Sequence, residues 1–364
     1  MPAADEYIFV SRGCNNETIE EGYCNGLPIC GYCYGGGTEG PVASWQYELF
    51  NLVVIGFILP LIGIFGLFGD AVSAFIYSRR EMQSSLNVYL CALAISDMIV
   101  IVTAFFLFFI ESMRKRSLFA SRVFAQLAPY MFPVGLTAQT LSVFLTVAAA
   151  FDCLVLVAMP RFRARFCKIQ TALKNIGLIF CLACLYNSPH IFEIYTIDCW
   201  SLVYRQKSKD VCPTELRQNV DYLTIYYAYL YTIVMAAGPV ILLFIINSAI
   251  VIFIRKETKK GHPVASESDT LTLVLVVALF VSCNILPLTV NFLELFLGFV
   301  NTYMIDLSNL MVVVNSSCNF LIYYAFGANF RRTLKGYFKN FVRSKGRTGN
   351  PLLAVIPQTE ERLI

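Results

Sequence analysis

Two aspartates, Asp70 and Asp97, stand inside long apolar stretches of the sequence. An isolated charge in such surroundings costs several kcal/mol, so a buried ionisable side chain there is a candidate for function. Two carboxylates that lie close together in a low dielectric rarely ionise at the same time. If the two aspartates lie close together, we therefore expect one of their carboxyl groups to be neutral.

The rest of the sequence contains few residues in arrangements that could catalyse a reaction. The chain contains two histidines, His190 and His262, so the three-histidine zinc site of a membrane hydrolase cannot form. The sequence also lacks a glycine-rich phosphate loop, a Ser/His/Asp set and a paired-carboxylate active site. We expect no enzymatic activity, and we interpret His190 as a polar group at a helix end.

The composition indicates which elements position the two aspartates. Of the 364 residues, 57% are hydrophobic and 14% are charged, whereas soluble domains carry about 25% charged residues. A bilayer core needs roughly 20 apolar residues in a helix, whose backbone satisfies its own hydrogen bonds. The composition therefore predicts an all-α membrane protein, a seven-transmembrane-helix bundle. The seven predicted spans are Leu49 to Tyr77, Leu86 to Ile110, Phe124 to Val157, Thr171 to Phe192, Tyr222 to Ile254, Thr270 to Leu293 and Tyr303 to Phe326.

Lysine and arginine are distributed unequally between the segments that connect the spans. If the N-terminus lies outside, 19 of the 28 basic residues fall on the cytoplasmic side, as the positive-inside rule requires. The outer segments are net negative. We predict a multi-pass plasma-membrane protein with an extracellular N-terminus over residues 1–47, a transmembrane domain over 48–330, and helix eight with a cytoplasmic tail over 331–364.

The outer segments also carry cysteines and a glycosylation sequon. Asn16 begins an Asn-Glu-Thr sequon. Six outer cysteines lie in an oxidising compartment, where disulfides are favoured over a metal site. They permit either a bond between Cys199 and Cys212, or bonds from either of these to the N-terminal cysteines. The six candidates are Cys14, Cys24, Cys30, Cys33, Cys199 and Cys212.

Several motifs resemble those of rhodopsin-like (class A) G-protein-coupled receptors, and more narrowly of invertebrate FMRFamide-related neuropeptide receptors. They are LCALAISD in helix two, AQTLSVFLTVA in helix three, YNSPHIFE at the end of helix four, CNILP in helix six, and NSSCNFLIYYAFGANFRR from helix seven into helix eight. The resemblance extends over all seven helices. It implies a receptor that is activated by an extracellular ligand, most simply an amidated FMRFamide-like peptide, and that signals through a heterotrimeric G protein.

The sequence departs from the family pattern at several positions. The Asp-Arg-Tyr motif at the end of helix three is replaced by Asp152-Cys153-Leu154, and a cysteine cannot provide the arginine's guanidinium fork. Helix one carries Gly69-Asp70 where the family has Gly-Asn. Helix three has no cysteine at its outer end, so the usual family disulfide cannot form. Other departures are the missing tryptophan of helix four, Asn284 at the helix-six tryptophan position, Pro287 one step late, and Asn247 at the helix-five tyrosine position.

The resemblance also implies roles for residues inside the bundle. It groups Asp97, Ser142, Asn315 and Asn319 as a sodium pocket, since carboxylate, hydroxyl and amide oxygens suit a hard cation. The alternative is a protonated Asp97 within a polar core. The coupling and switch positions are Asp152, Cys153, Asn319 and Tyr323. No cofactor is expected besides this possible allosteric sodium ion.

The resemblance places a ligand pocket between the outer halves of helices three, five, six and seven. Gly135 occupies the position of the amine-binding aspartate, and no lysine lies between Tyr303 and Phe330 for a Schiff base, so amines and retinal are disfavoured. An Arg-Phe-amide peptide would need acids and aromatic walls. We expect the acids Glu193, Glu294 and Asp306 and the wall residues Tyr130, Phe132, Gln139, Tyr226 and Asn291.

The cytoplasmic side carries a basic rim, which is formed by Arg161, Arg163, Arg165, Lys168, Arg255, Lys256, Lys259 and Lys260. Helix eight, Phe330 to Phe341, alternates aromatic and basic residues as interfacial helices do.

We expect the bilayer and a G protein as partners, and no nucleic acid. The alternatives are a decoy receptor without the helix-three arginine, a receptor for a small hydrophobic or pheromone-like ligand, and a small transporter. The transporter is disfavoured because no internal repeat is visible.

Overall fold

The computed structural model describes residues 17, 21–31, 33, 45–114, 116–259 and 267–347. Seven helices in this part of the chain are long and apolar enough to cross a membrane. The predicted seven-transmembrane-helix class is therefore confirmed. The helices are α1 (Trp45–Tyr77), α2 (Ser85–Arg114), α3 (Leu118–Ala158), α4 (Ile169–Phe192), α5 (Val220–Lys256), α6 (Glu267–Leu297), α7 (Thr302–Phe326) and the cytoplasmic α8 (Ala328–Arg347).

Helix α3 begins six residues before the predicted span. The Ser117 side chain accepts a hydrogen bond from the backbone amide of Ala120, 3.4 Å away, and so caps the helix. Pro129 and Pro133 lie inside α3 without ending it. The helix therefore rises above the apolar stretch, where it supports the extracellular hairpin.

Two small antiparallel hairpins form the outer cap of the bundle. The first pairs β1 (Tyr23–Cys24) with β2 (Leu27–Pro28), and the second pairs β3 (Ile194–Ser201) with β4 (Gln206–Pro213). Ile29 forms a parallel bridge with Trp200, and the backbone amide of Cys30 donates to the Trp200 carbonyl at 3.0 Å. The N-terminal segment is thus attached to the edge of the β3–β4 hairpin.

Disulfides fix this attachment. Cys30 is bonded to Cys199 and Cys33 to Cys212. The alternative of a Cys199–Cys212 bond is wrong, because Cys199 faces Ser208 across the strands while Cys212 faces Tyr195. Cys24 is also disulfide-bonded. Cys14 and the predicted glycosylation site Asn16 lie outside the described residues.

The largest apolar core fills the cytoplasmic half of the bundle. Leu145, Leu243, Ile250, Val277 and Tyr323 are fully buried there. Large apolar side chains on the outer surface of the helices are exposed instead, because lipid surrounds them. A smaller cluster packs α1, α2 and α7 together in the outer half, and a third packs the hairpin on α3.

Candidate functional site

A cavity of about 490 Å³ opens at the outer side of the bundle. Its walls come from α2, α3, α6 and α7, with Tyr231 of α5 and the β3–β4 hairpin completing them. The sequence predicted a pocket between helices three, five, six and seven. In the structure, α2 and the hairpin also contribute residues to the cavity wall. The lining is mostly apolar and aromatic, as in ligand pockets generally, and includes Leu107, Phe108, Phe124, Phe132, Leu136, Gln139, Tyr231, Asn291, Asn309 and Val312.

Three charged side chains line the cavity among the described residues: Glu111 and Arg114 from α2, and Arg217 from the segment after β4. Arg114 lies 3.6 Å from Glu111 and 3.3 Å from the buried carboxylate of Asp210. The spacing of Glu111 and Arg114 places both on one face at the outer end of α2. The cavity wall therefore presents a carboxylate and two guanidinium groups.

The second arginine is held by a buried acid. Arg217 Nη1 lies 3.1 Å from Glu193 Oε2, and its guanidinium carbon lies 4.2 Å from the centre of the Tyr227 ring. Glu193 is fully buried. Its carboxylate also accepts hydrogen bonds from the hydroxyls of Tyr222 and Tyr227, both at 2.6 Å. His190 Nδ1 lies 2.8 Å from the same carboxylate.

These contacts determine the ionisation of Glu193. Burial alone raises the pKa of the Glu193 carboxyl, but the hydrogen bonds from His190, Tyr222 and Tyr227 outweigh burial and hold the pKa at about 2, below the ordinary value of 4.5. Glu193 is therefore ionised at neutral pH. The predicted role of His190 as a helix-end polar group agrees with its position beside Glu193 at the end of α4.

The hairpin is attached to α3 by hydrogen bonds, where other members of the predicted family would have a disulfide. Thr196 Oγ1 donates to the Ala125 carbonyl at 2.5 Å, and Arg122 Nε donates to the Lys207 carbonyl at 3.2 Å. Asp210 connects three elements, since its carboxylate also accepts from the Gly31 amide at 2.7 Å. The N-terminal segment, the hairpin and the cavity arginine Arg114 thus meet at Asp210.

A polar centre lies below the cavity. Asp97 Oδ1 accepts from Ser142 Oγ at 2.7 Å, and Asp97 Oδ2 accepts from Asn319 Nδ2 at 2.8 Å. Asn315 lines a neighbouring space of about 20 Å³ together with Ser142. The structure thus brings together the four residues that the resemblance grouped.

Comparison with known proteins decides the family. Residues 71–323 match the sequence model of the 7 transmembrane receptor (rhodopsin family). The chain belongs to this rhodopsin family. It is therefore a multi-pass membrane receptor of the plasma membrane, in a family of receptors and not of enzymes.

Three curated relatives narrow the comparison. The receptor is 60% identical over 350 residues to the probable G-protein coupled receptor frpr-1 of Caenorhabditis elegans, covering 92% of this chain and 91% of the relative. It is 31% identical to the FMRFamide receptor of Drosophila melanogaster over 77% of this chain and 52% of that protein. It is 28% identical to the FMRFamide peptide receptor frpr-18 of C. elegans over 77% of this chain and 68% of that receptor. The predicted resemblance to FMRFamide-related receptors is confirmed.

The receptor brings three of the eight predicted ligand-binding residues to the cavity: Phe132, Gln139 and Asn291. Glu193 lies behind Arg217, with its carboxylate occupied by the donors described above. Tyr226 packs beside it, and its hydroxyl donates to the Tyr186 carbonyl at 2.5 Å. Both residues were predicted from their position near the outer helix ends, and in the structure neither is among the residues that line the cavity.

The remaining three predicted residues lie away from the cavity. Tyr130 is 70% exposed on the outside of α3. Glu294 is exposed at the end of α6. Asp306 is buried and accepts from Asn51 Nδ2 at 2.9 Å, so it connects α7 to α1. Glu111, Arg114 and Arg217 were not predicted, although the Glu-x-x-Arg spacing at the end of helix two was available as a signal.

The cytoplasmic end of the receptor is closed by apolar packing. Cys153 is fully buried in the core, and Asp152 Oδ2 accepts from Ser85 Oγ at 2.7 Å. The Tyr323 ring packs edge-on against Tyr77 at 5.2 Å between centroids. The predicted coupling and switch residues therefore lie inside the closed bundle. The basic rim beside them, represented by Arg161, Arg163 and Arg165, is exposed.

Proposed function

We propose that this chain is a G-protein-coupled receptor activated by an amidated FMRFamide-like neuropeptide. Two of its relatives bear the names FMRFamide receptor and FMRFamide peptide receptor. The observation that carries the proposal is the cavity wall, in which Glu111 stands among aromatic side chains. A peptide that ends in Arg-Phe-amide offers one cation and one phenyl ring to such a wall.

Each part of this peptide has a matching group in the cavity. Glu111 pairs with the ligand guanidinium through charge-assisted hydrogen bonds. Phe108, Phe124 and Phe132 provide edges and faces for the terminal phenyl ring. Gln139 and Asn291, deeper in the cavity, hydrogen bond to the terminal carboxamide. The guanidinium partner proposed here is Glu111, because Glu193 and Glu294 do not line the cavity.

Ligand binding is transmitted to the cytoplasmic side by a shift in the populations of two packings of the bundle. The ligand favours the packing in which the cytoplasmic ends of α3, α5 and α6 separate and admit a helix of the G protein. Asn319 and Tyr323 connect the polar centre to that end. Coupling proceeds without the family arginine at Cys153, so the basic rim contributes the positive charge near the G protein.

We also propose that the polar centre binds a sodium ion as an allosteric ligand. Asp97, Ser142, Asn315 and Asn319 supply carboxylate, hydroxyl and amide oxygens, which is the donor set of a hard cation. The adjoining space of about 20 Å³ is of the size of a single small ion or water. Sodium should shift agonist affinity in the wild type, whereas Asp97→Asn should remove the effect. Agonist affinity that is independent of sodium in the wild type would contradict this proposal.

The function is tested by a signalling assay. The receptor is expressed with promiscuous and native Gα subunits, and amidated Arg-Phe peptides are compared with pools of small hydrophobic molecules. We expect a response of the wild type to the peptides. A response only in Cys153→Arg would instead indicate a decoy receptor that binds without signalling, and a response only to the small molecules would overturn the peptide assignment.

A further inference from the structure

We propose that the cavity recognises an acidic group of its ligand through Arg114 and Arg217, beside the site for the ligand's cation at Glu111. The inference rests on the proposed peptide function and adds a second, opposite charge to the ligand. It follows from how the two arginines are held. Both line the cavity, and each is fixed from behind by a buried acid.

Arg114 has donor capacity that its partners in the described part of the receptor do not use. Nη1 contacts Asp210 and Nη2 contacts Glu111, but Nε is buried without a hydrogen-bond partner among the described residues. The guanidinium also lies 5.2 Å from the centre of the Phe124 ring. A buried donor without an acceptor is costly. Arg114 lines the cavity and carries five N–H donors, so donors beyond the contacts with Asp210 and Glu111 are available to a ligand oxygen.

Arg217 is held with similar rigidity. Its contact with Glu193 uses Nη1, and its flat face stacks on Tyr227. An arginine has five N–H donors in a planar fork, so most of the Arg217 donors are available beyond the Glu193 contact. Because the fork is already oriented, little side-chain entropy is lost when it binds a ligand.

The chemistry of the two forks selects the ligand group. Arginine forks match carboxylates, which accept two parallel hydrogen bonds. The buried acids behind the arginines neutralise much of their charge, so the cavity does not repel the cationic part of the same peptide. Glu111 lies 3.6 Å from Arg114. The ligand's acid and its arginine should therefore occupy neighbouring positions, as in a peptide with aspartate close to the Arg-Phe-amide end.

The test compares two peptides that differ in one charge: Asp-Phe-Met-Arg-Phe-amide and Asn-Phe-Met-Arg-Phe-amide. Affinities are measured by competition on the wild type, Arg114→Gln, Arg217→Gln and the control Arg116→Gln. Arg116 is exposed and donates to the backbone of Ser112 at 2.9 Å, outside the cavity. The variants Arg114→Lys and Arg217→Lys keep the charge that the buried acid requires but lose the fork.

We expect the wild type and Arg116→Gln to prefer the aspartate peptide by about tenfold, the scale of one hydrogen bond to a charged group. The preference should fall at least severalfold in the glutamine variants. It should fall as much in the lysine variants, which remain folded because they keep the charge that the buried acid requires. Equal affinity of the two peptides on the wild type would overturn the inference. An undiminished preference in every Arg114 and Arg217 variant would overturn it as well.

A second probe separates this inference from the proposed peptide function. The thermal unfolding temperature of the purified receptor is measured with millimolar N-acetyl-aspartate amide or N-acetyl-asparagine amide. One outcome is that neither peptide binds, but the aspartate compound raises the unfolding temperature of the wild type by more than it raises that of Arg217→Lys. In that case the peptide function is wrong and the acid site stands. If the peptides bind without preference and the two amides act equally, the acid site is wrong and the peptide function stands.

Discussion

The outer and inner halves of the receptor handle charge in opposite ways. In the outer half, Glu193 and Asp210 are buried and each is paired with an arginine of the cavity wall. In the inner half, the helix ends are closed by apolar and aromatic side chains such as Tyr77, Cys153 and Tyr323. The basic residues there, such as Arg161 and Arg163, are exposed.

This difference indicates that recognition and switching depend on different forces. Buried, fully hydrogen-bonded charges hold the cavity arginines in one geometry, which favours selective binding. Apolar packing can be exchanged for another packing without leaving a charge unpaired, which suits a bistable element. We therefore expect the outer half to remain fixed while the inner half rearranges on activation.

The covalent part of the outer half should give the largest effect. Removing both described disulfides by the changes Cys30→Ser and Cys33→Ser, with serine also at Cys199 and Cys212, should cost about 2–4 kcal/mol for each bond. The N-terminal segment would keep only its hydrogen bonds to the hairpin. The thermal unfolding temperature and peptide binding of the purified receptor measure the loss. The change Cys91→Ser in the membrane-spanning region is the control, and an equal loss there would contradict a special role of the outer cap.

Glu193 should give the second-largest effect. Glu193→Gln removes a fully buried carboxylate from Arg217 and three further partners, and we expect a cost of about 3 kcal/mol. The exposed Glu215 provides a matched control, because Glu215→Gln should change stability by less than about 0.5 kcal/mol. Thermal unfolding compares the variants. Similar unfolding temperatures for the two variants would show that the outer half does not depend on its buried charge.

The same carboxylate predicts a pH dependence. The pKa of Glu193 is about 2 in the folded receptor against an ordinary value of 4.5, so its ionised form stabilises the fold above pH 4.5. This stabilisation is lost as the pH falls from 4.5 through 2. The difference in unfolding temperature between the wild type and Glu193→Gln should therefore be constant from pH 7 to pH 5 and decrease below pH 4.5. A constant difference down to pH 3 would be evidence against the hydrogen-bonded carboxylate.

A buried acid outside the outer half, Asp70, provides a further test. It is fully buried in α1, and neither of its side-chain oxygens has a hydrogen-bond partner among the described residues. Because one carboxyl group of two neighbouring buried aspartates should already be neutral, Asp70→Asn should change the unfolding free energy by at most about 1 kcal/mol. The exposed Asp221 offers the control Asp221→Asn. A larger loss of stability in Asp70→Asn would mean that Asp70 has an essential partner.

The smallest effect is expected at an exposed pair of the hairpin. Lys209 Nζ lies 3.0 Å from Asp198 Oδ1, but both side chains are largely exposed. Exposed ion pairs contribute little because water and salt screen them. Lys209→Gln should therefore change the unfolding free energy by less than about 0.5 kcal/mol in thermal unfolding experiments. A cost near that of Glu193→Gln would contradict the distinction between buried and exposed charge.

Much of the fold could be predicted from the sequence. Apolar length fixed the seven spans, because the bilayer imposes a minimum helix length, and the unequal distribution of arginine and lysine fixed their orientation. The sequence could not decide between the alternative disulfide pairings. It depends on which residues of β3 and β4 lie opposite each other, and sequence separation does not contain that information.

The site was predicted less completely. The resemblance placed the pocket between the outer halves of helices three, five, six and seven, and Phe132, Gln139 and Asn291 of helices three and six line the cavity there. Glu193 does not line the cavity, because its burial depends on Tyr222, Tyr227 and Arg217, which approach from a distant part of the chain. Long-range contacts of this kind decide whether an acid faces a ligand or supports an arginine.

The pairing of Glu111 with the ligand arginine can be tested directly. Binding of Phe-Met-Arg-Phe-amide and of its citrulline analogue, which lacks the positive charge, is measured by competition on the wild type, Glu111→Gln and the exposed control Glu294→Gln. We expect citrulline to weaken binding about tenfold in the wild type and in Glu294→Gln, but to have little effect in Glu111→Gln, a coupling of about 1–2 kcal/mol. An equal loss in the wild type and Glu111→Gln would contradict this pairing.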